Sequence, residues 1–284
     1  MTTVIAVASN KGGVAKTTTT LSLGGSLADE GRLVLLVDLD PQAHLTASLG
    51  IKPEGLRRTV GDALLAQNSL VAVSQETDVS NLDLAPANRE LVVRDKVLYK
   101  RPRYEHRLRE SLDRMGDQLY DIVVVDCPPN FGTLTLNAMT AADMLIIPIQ
   151  CEYYAIRSLR QTLELVQLVR KKTNPGLRYR LLVTMFDMRN RIHCLLLEQM
   201  RDRFPTALFE TIIQIDTRLR ESPAFGLPVT QHTPGTRAAR QYRQLASEVV
   251  SVLRTSGNTQ AQQSRSMGNL APHRTIPSLS ASGA

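Results

Sequence analysis

The stretch with the clearest capacity for chemistry is a short loop near the N-terminus in which glycines lie between two lysines. It reads Lys11-Gly12-Gly13-Val14-Ala15-Lys16-Thr17-Thr18. Consecutive glycines let the backbone turn several N–H groups toward one point, where they can hold phosphate oxygens. Lys16 can reach the β- and γ-phosphates of a nucleotide, and the Thr17 hydroxyl can bind Mg²⁺. We therefore predict a phosphate-binding loop formed by residues 11–18.

The spacing of this loop departs from the strict P-loop template. Asn10 and Ala15 occupy the positions at which that template has glycines, and Lys11 adds a second lysine five residues before Lys16. The pattern is instead that of the deviant Walker A loop, K-G-G-x-x-K-[ST]. The alternative is a glycine-rich turn with two solvated lysines. An apolar run before the loop and a helical pattern after it favour phosphate binding.

Three aspartates that follow predicted strands form a second group of candidates. Asp38 and Asp40 follow the strand at 33–37, and Asp126 follows the strand at 122–125. In a parallel sheet, ligands bind at the carboxyl ends of the strands, where the loop also lies. We predict that Thr17, Asp40 and Asp126 form the Mg²⁺ site, and that Asp40 also positions the attacking water. Asp38 is equally well explained as a cap of the next segment.

Strand and helix patterns alternate along the chain around these candidates. Helices are predicted at 16–30, at 91–116 with a break near Pro102, and at 156–172, and strands at 4–8, 33–37, 82–86, 122–125, 144–149 and 181–184. Such alternation is typical of βαβ units with right-handed crossovers. The predicted fold class is α/β, with a doubly wound, mostly parallel sheet and helices on both faces.

Composition sets the outer limits of this interpretation. The 284 residues are 43% hydrophobic and carry a formal charge of +7, which permits a sizeable core and suggests an acidic partner such as nucleic acid. Cys127, Cys151 and Cys194 are too far apart to indicate a zinc site or a disulfide framework. We predict one domain at 1–254 and a disordered tail at 255–284, which has six serines and no acid.

Five sequence blocks, in this order and spacing, resemble the ParA/Soj family of partition ATPases from about residue 2 to about residue 253. They read KGGVAKTTT, VLLVDLDPQ, DIVVVDCPPNFGTLTLNAM, IPIQCEYYAIRSL and RLRESPAFGLPV. The resemblance implies a P-loop ATPase that uses ATP and Mg²⁺. The ParA/Soj family is similar at the fold level to MinD, another deviant Walker A ATPase.

The resemblance also implies roles for individual residues. Lys11 would be the signature lysine that enters the partner subunit's site in an ATP-bound sandwich homodimer, and Gly12 would lie at the subunit contact. Asp40 would be needed for hydrolysis, and Asp126 would be the Walker B aspartate. Ala15 stands where glycine is most common in the family. Because alanine is a good helix former at a helix start, we expect this departure to cost little.

The resemblance further implies double-stranded DNA as a partner, bound without sequence preference by basic residues at positions matching Arg189 and Arg218. A ParB-like protein would stimulate hydrolysis, and the chain would be cytoplasmic and associated with the nucleoid. The phosphate loop is not preceded by a helix-turn-helix domain, which is typical of the short form of the family.

Two other functions stay open at the level of sequence. One is a positioning ATPase that moves a protein cargo on the nucleoid with the same switch. The other is a metabolic P-loop enzyme such as an amide-forming synthetase, which would need a substrate pocket and a further catalytic group. Membrane binding of the MinD kind is not expected, because residues 255–284 show no basic amphipathic helix.

Overall fold

The computed structural model of the protein describes residues 2–66, 68–116, 119–152 and 155–255, with the backbone alone for 155–158 and 255. Of the predicted tail at 255–284, only Thr255 falls within this range, and it is the last residue of a helix. The rest of that prediction lies outside the described residues.

One seven-stranded sheet forms the centre of the fold, with the strand order β3-β4-β2-β5-β1-β6-β7. Every neighbouring pair is parallel except β3 and β4, so the prediction of a mostly parallel sheet is confirmed. The strands are β1 (Thr3–Val7), β2 (Val34–Asp38), β3 (Gln75–Glu76), β4 (Leu82–Ala85), β5 (Ile122–Asp126), β6 (Met144–Gln150) and β7 (Arg178–Thr184).

Helices cover both faces of this sheet. They are α1 (Lys16–Asp29), α2 (His44–Ser48), α3 (Val60–Ala66), α4 (Leu91–Tyr99), α5 (Arg107–Asp113), α6 (Thr133–Ala141), α7 (Ala155–Lys172), α8 (Arg191–Arg203), α9 (Arg218–Glu221), α10 (Val229–His232) and α11 (Arg237–Thr255). None of the described helices combines the length and the apolar character needed to cross a membrane.

Side-chain alternation along β1 shows how the two layers arise. Val4 and Ala6 belong to the core shared with α3–α8, whereas Ile5 and Val7 belong to the core shared with α1, α2, α10 and α11. Successive residues of a strand point to opposite faces, so an apolar run without polar interruptions is buried from both sides. The doubly wound arrangement predicted from the sequence is therefore confirmed.

The predicted elements differ from the observed ones mainly at polar segments. β7 begins at Arg178, three residues before the apolar run that predicted it. The break predicted near Pro102 in the charged helix at 91–116 is confirmed, because this stretch forms two helices, α4 and α5, with a short 3-10 turn at Tyr104–His106 between them. The antiparallel β3 was not predicted, because a two-residue strand of glutamine and glutamate carries no apolar pattern.

Strand register brings the carboxyl ends of three central strands to the same level. Asp126 of β5 pairs with Val7 of β1 on one side and with Asp38 of β2 on the other. The phosphate loop leaves β1 directly after Val7 and runs into α1 at Lys16. The loop and two of the three candidate aspartates therefore lie together at one edge of the sheet, which we call the nucleotide edge.

Candidate functional site

Backbone geometry of the loop explains only part of its glycine content. Gly13 has φ +74°, in the left-handed region that favours glycine. Ala15 also lies there, with φ 65° and ψ 34°, and forms the N-cap of α1 without a side-chain capping bond. The expectation that alanine costs little at this position was argued from helix propensity, and that reason is wrong. Ala15 precedes the helix in a conformation that is strained for residues other than glycine.

Lys16 is held under the loop rather than in solvent. Its side chain is buried, and Nζ donates to the Lys11 carbonyl oxygen at 3.3 Å. Burial lowers the pKa of Lys16, while the nearby Asp126, Cys127 and Asp40 oppose that shift. The loop thus encloses one cation among several acidic groups, in the position expected for a lysine that binds phosphate.

Thr17 and Asp126 are in direct contact at the start of α1. The Thr17 hydroxyl donates to Asp126 Oδ2 at 2.6 Å, and the second oxygen, Oδ1, is buried with no hydrogen-bond partner among the described residues. Burial raises the pKa of the Asp126 carboxyl well above its usual range, and Asp38 and Asp40 add to the shift. A buried carboxylate oxygen without a donor, beside a hydroxyl, fits the hard oxygen ligands that Mg²⁺ prefers.

The other two aspartates differ in their surroundings. Asp38 Oδ2 accepts from the Thr46 backbone N–H at 2.9 Å and from its hydroxyl at 2.7 Å, and Oδ1 accepts from Asp40 N–H at 3.0 Å. Every oxygen of the Asp38 carboxylate is thereby occupied, which supports its interpretation as a cap of α2. Asp40 is 7% exposed, and within the described part of the chain its Oδ1 accepts only from Gln42 N–H, at 2.9 Å.

Lys11 points back into its own subunit in this structure. Its Nζ donates to Gln150 Oε1 at 3.1 Å and pairs with Glu152 Oε2 at 2.5 Å. The Lys11 side chain, which is partly exposed, therefore does not enter the pocket around Lys16. A role in a partner subunit requires that the contact with Glu152 be broken.

Two polar residues that the sequence did not single out hold the loop from below. Gln150 Nε2 donates to the Gly13 carbonyl oxygen at 2.9 Å, and the Thr184 hydroxyl donates to the Val14 carbonyl oxygen at 3.1 Å. Both residues are the last of their strands, β6 and β7. The rule that led to Asp126, a polar residue at the carboxyl end of a buried strand, could have found them.

Gly12 is exposed, and its substitution has no steric obstacle inside the chain. A Cβ placed on Gly12 meets no atom within 4 Å among the described residues, and its φ lies outside the left-handed region. Glycine at this position is therefore not required by the fold of the subunit. Thr18 lies half-buried in the first turn of α1, and Val14 is buried.

The two candidate DNA-binding arginines lie on neighbouring segments beyond β7. Phe186 forms an isolated parallel bridge with Gln214, and Ile215 N–H donates to the Phe186 carbonyl at 3.1 Å. Arg189 follows the first segment, and Arg218 begins α9 after the second. We call this region, with Arg189 and Arg218, the basic edge.

Comparison with known proteins decides the family. The family model described as AAA domain matches residues 2–179. The sporulation initiation inhibitor protein Soj of Bacillus subtilis is 40% identical over 247 residues, covering 87% of this chain and 97% of the relative. The chromosome partitioning protein ParA of Myxococcus xanthus is 38% identical over 248 residues, covering 87% of each. The chain belongs to the ParA/Soj family of P-loop ATPases.

Solved structures agree with this assignment at the level of the fold. A crystal structure described as cobyrinic acid a,c-diamide synthase from Mycobacterium smegmatis, with bound ADP and magnesium, has a TM-score of 0.79 and 37% identity, covering 90% of this chain and 97% of that chain. The septum site-determining protein MinD of Pyrococcus horikoshii, complexed with Mg-ADP, has a TM-score of 0.72 and 25% identity, covering 89% and 98%. These ligands agree with the ATP and Mg²⁺ expected for this family member.

Proposed function

We propose that this ParA/Soj family member is an ATP-hydrolysing partition switch, whose ATP-bound homodimer binds double-stranded DNA without sequence preference. The observation that carries the nucleotide part is the buried Asp126 Oδ1, which lacks a hydrogen-bond donor from the described residues although it lies beside Thr17 and the buried Lys16. A fold that leaves a carboxylate oxygen bare at the end of a phosphate loop is suited to a cation that accompanies phosphate.

Each residue of the nucleotide edge then has a defined task. Thr17 and Asp126 would hold Mg²⁺ from the protein side, and Asp40 would lie close to the metal and orient the attacking water. Lys16 would neutralise charge on the β- and γ-phosphates, with the loop N–H groups of residues 11–18 holding the oxygens. Mg²⁺ held there would supply positive charge that offsets the negative charge developing during phosphoryl transfer.

Dimer formation is supported by Lys11 and Gly12, two loop residues whose identities are not required by the fold of a single subunit. Gly12 faces open space, and Lys11 contacts residues of β6 and of the segment after it rather than the pocket. In the proposed dimer, Lys11 exchanges Glu152 for phosphate oxygens of the partner's nucleotide. Gly12 then allows the two loops to approach closely.

The basic edge would carry DNA binding. Arg189 and Arg218 are exposed, and a guanidinium group suits phosphate because it offers parallel N–H donors. A two-fold dimer doubles these contacts on one rigid body, which makes binding depend on ATP. A ParB-like partner would stimulate hydrolysis and release the DNA, and the chain would act in the cytoplasm on the nucleoid. The ATPase domain would span residues 1–254.

A binding series tests this proposal. Purified protein is mixed with two unrelated duplexes, with ADP and with ATP, over a range of salt concentrations. We expect ATP-dependent binding that is equal for both duplexes and weakens steeply with salt. Arg189→Ala and Arg218→Ala should each lower affinity and flatten the log–log slope by about one unit for each phosphate that is no longer neutralised. Equal binding in ADP and ATP would falsify the nucleotide-gated switch.

The control for this series comes from the far end of α8. Arg201 lies on the last turn of that helix, about 15 Å from its start at about 1.5 Å per residue. Arg201→Ala removes the same charge from the opposite end of the helix and should leave the salt slope unchanged. An equal effect of all three substitutions would mean that only net charge matters.

An amide-forming synthetase is the second candidate, favoured by the name of the 37% identical protein from Mycobacterium smegmatis. Such an enzyme needs room for a second substrate beside the phosphates. The cavity next to the loop, lined in part by Ser9, Lys11 and Gln150, has a volume of about 10 Å³, which is too small for a nucleotide as well, so an activity assay has to separate the two candidates. Incubation with ATP, glutamine and cobyrinic acid, followed by mass spectrometry, should show no amidated product. Its appearance would make the synthetase the better assignment.

A further inference from the structure

The arginines of the basic edge are each already bound by an acidic residue of their own segment. Arg189 Nε donates to Asp187 Oδ1 at 3.0 Å, and Nη2 donates to Asp187 Oδ2 at 2.9 Å. Arg218 Nη1 donates to Glu221 Oε2 at 2.7 Å. The arrangement recurs on two separate segments, one after β7 and one in α9.

The contact at Arg189 has the geometry with which a guanidinium group binds phosphate. Two nearly equal N–H···O bonds join one edge of the guanidinium to both oxygens of one carboxylate, which is the bidentate arrangement common to carboxylates and phosphates. The pair also cancels the charge that would attract a polyanion. With 90% of the Arg189 side chain exposed, DNA could otherwise reach this group freely.

We propose that Asp187 and Glu221 act as internal phosphate mimics, which occupy the DNA-binding arginines of the free subunit and must be displaced by DNA phosphates. This inference rests on the proposed function, because it assumes that Arg189 and Arg218 contact DNA. Its consequence is that each subunit alone binds DNA weakly. In a dimer the arginines and their carboxylates are both doubled, while the loss of translational and rotational freedom on binding DNA occurs only once.

The test uses substitutions that remove the charge and keep the shape. Asp187 Oδ1 also accepts from Arg189 N–H at 3.0 Å, and an asparagine retains an oxygen for this turn. Asp187→Asn and Glu221→Gln are therefore compared with wild type for binding to one duplex, with ADP and with ATP, over a salt series. Asp202→Asn, on the last turn of α8, changes net charge equally and is the matched control.

We expect each substitution to tighten DNA binding and to make its salt dependence steeper. Displacing one exposed ion pair changes an equilibrium by up to about fivefold, so a dimer with two copies should gain up to about 25-fold. The gain should be smaller with ADP, up to about fivefold, because the ADP-bound monomer has one copy of each ion pair. Asp202→Asn should bind like wild type.

A double substitution separates this inference from the proposed function. In Asp187→Asn/Arg189→Ala, the gain should vanish, because there is no arginine to release. If wild type binds DNA with ATP and Arg189→Ala binds it more weakly, but Asp187→Asn and Glu221→Gln bind no better than wild type, the mimic is disproved and the DNA surface stands. Weaker binding by either would overturn the mimic as well, because the acid would then position the arginine for DNA. If wild type fails to bind DNA with ATP, the proposed function itself is wrong.

Discussion

The nucleotide edge and the basic edge differ in how their charged side chains are buried and paired. At the nucleotide edge, Lys16 and Asp126 are buried, and one carboxylate oxygen has no partner among the described residues. At the basic edge, Arg189 and Arg218 are exposed, and each has its own acid. A buried unsatisfied group is costly, so it indicates a ligand, whereas an exposed ion pair contributes little and can be exchanged. The nucleotide edge therefore indicates a ligand for the unpaired Asp126 oxygen. The basic edge would bind DNA only after Asp187 and Glu221 have released its arginines.

The two edges are also joined through one strand. Thr184 binds the Val14 carbonyl of the loop, and Asp187 and Arg189 follow a few residues later. Met185, directly after Thr184, has φ 53°, so the chain leaves β7 in a conformation that is uncommon for a residue with a side chain. One hydrogen bond and a few residues of chain therefore connect the nucleotide loop to the basic edge.

The largest effect is expected from Lys16→Ala, which removes the buried lysine of the phosphate pocket. Charge-assisted hydrogen bonds to phosphate contribute about 1.5–3 kcal/mol each, so ATP affinity should fall by about 10- to 150-fold for each bond lost, as calorimetry can measure. Lys52→Ala, at an exposed lysine, is the control and should bind ATP normally. Wild-type ATP affinity in Lys16→Ala would contradict the assignment of this pocket as a phosphate site.

Asp40→Ala tests the division of labour among the carboxylates. Because the described residues give Asp40 one hydrogen-bond donor and Asp38 three, we expect Asp40 to be the one available for the attacking water. Turnover should fall by about 100-fold, the usual contribution of a positioned base, while ATP binding persists and the ATP dimer accumulates. Light scattering and single-turnover hydrolysis measure the two effects. Loss of the ATP dimer would contradict this role, and Asp113→Ala serves as the exposed control.

Lys11→Ala and Gly12→Val sharpen the distinction between cis and trans contacts. Lys11 lies outside the Lys16 pocket, so monomeric ATP affinity should change little, whereas ATP-driven dimerisation should weaken by about tenfold or more. Gly12→Val should fold normally, since its Cβ has space within the subunit, yet fail to dimerise. Size-exclusion chromatography with ATP measures both. Full dimerisation of either variant would remove the case for that residue at the subunit contact.

Sequence patterns predicted the parts of the molecule in which one segment carries its own signal. The strand Ile122–Asp126 is buried along its whole length, so its apolar run was sufficient. The loop and Asp126 were found because strand ends in a parallel sheet meet at one edge. Gln150 also ends a strand at that edge, but its neutral amide carries no charge that indicates phosphate or Mg²⁺, so the strand-end pattern pointed to the aspartates alone. The pairing of Arg189 with Asp187 depends on side-chain geometry, which composition does not reveal.

The smallest effect concerns the strain at Ala15, for which the chain supplies matched comparisons. Ala15 and Ala43 are both helix N-caps at positive φ, 65° and 54°, at the nucleotide edge. A left-handed alanine costs about 1–2 kcal/mol, and glycine returns about 0.5–1 kcal/mol of that through its chain entropy. Ala15→Gly should therefore raise the free energy of unfolding by about 0.5–1 kcal/mol, as urea denaturation can measure, whereas Ala43→Gly should raise it less, because the Ala43 methyl is buried in the core. Ala47→Gly, within α2, should lower it by about 1 kcal/mol, so a decrease in all three would show that positions 15 and 43 are not strained.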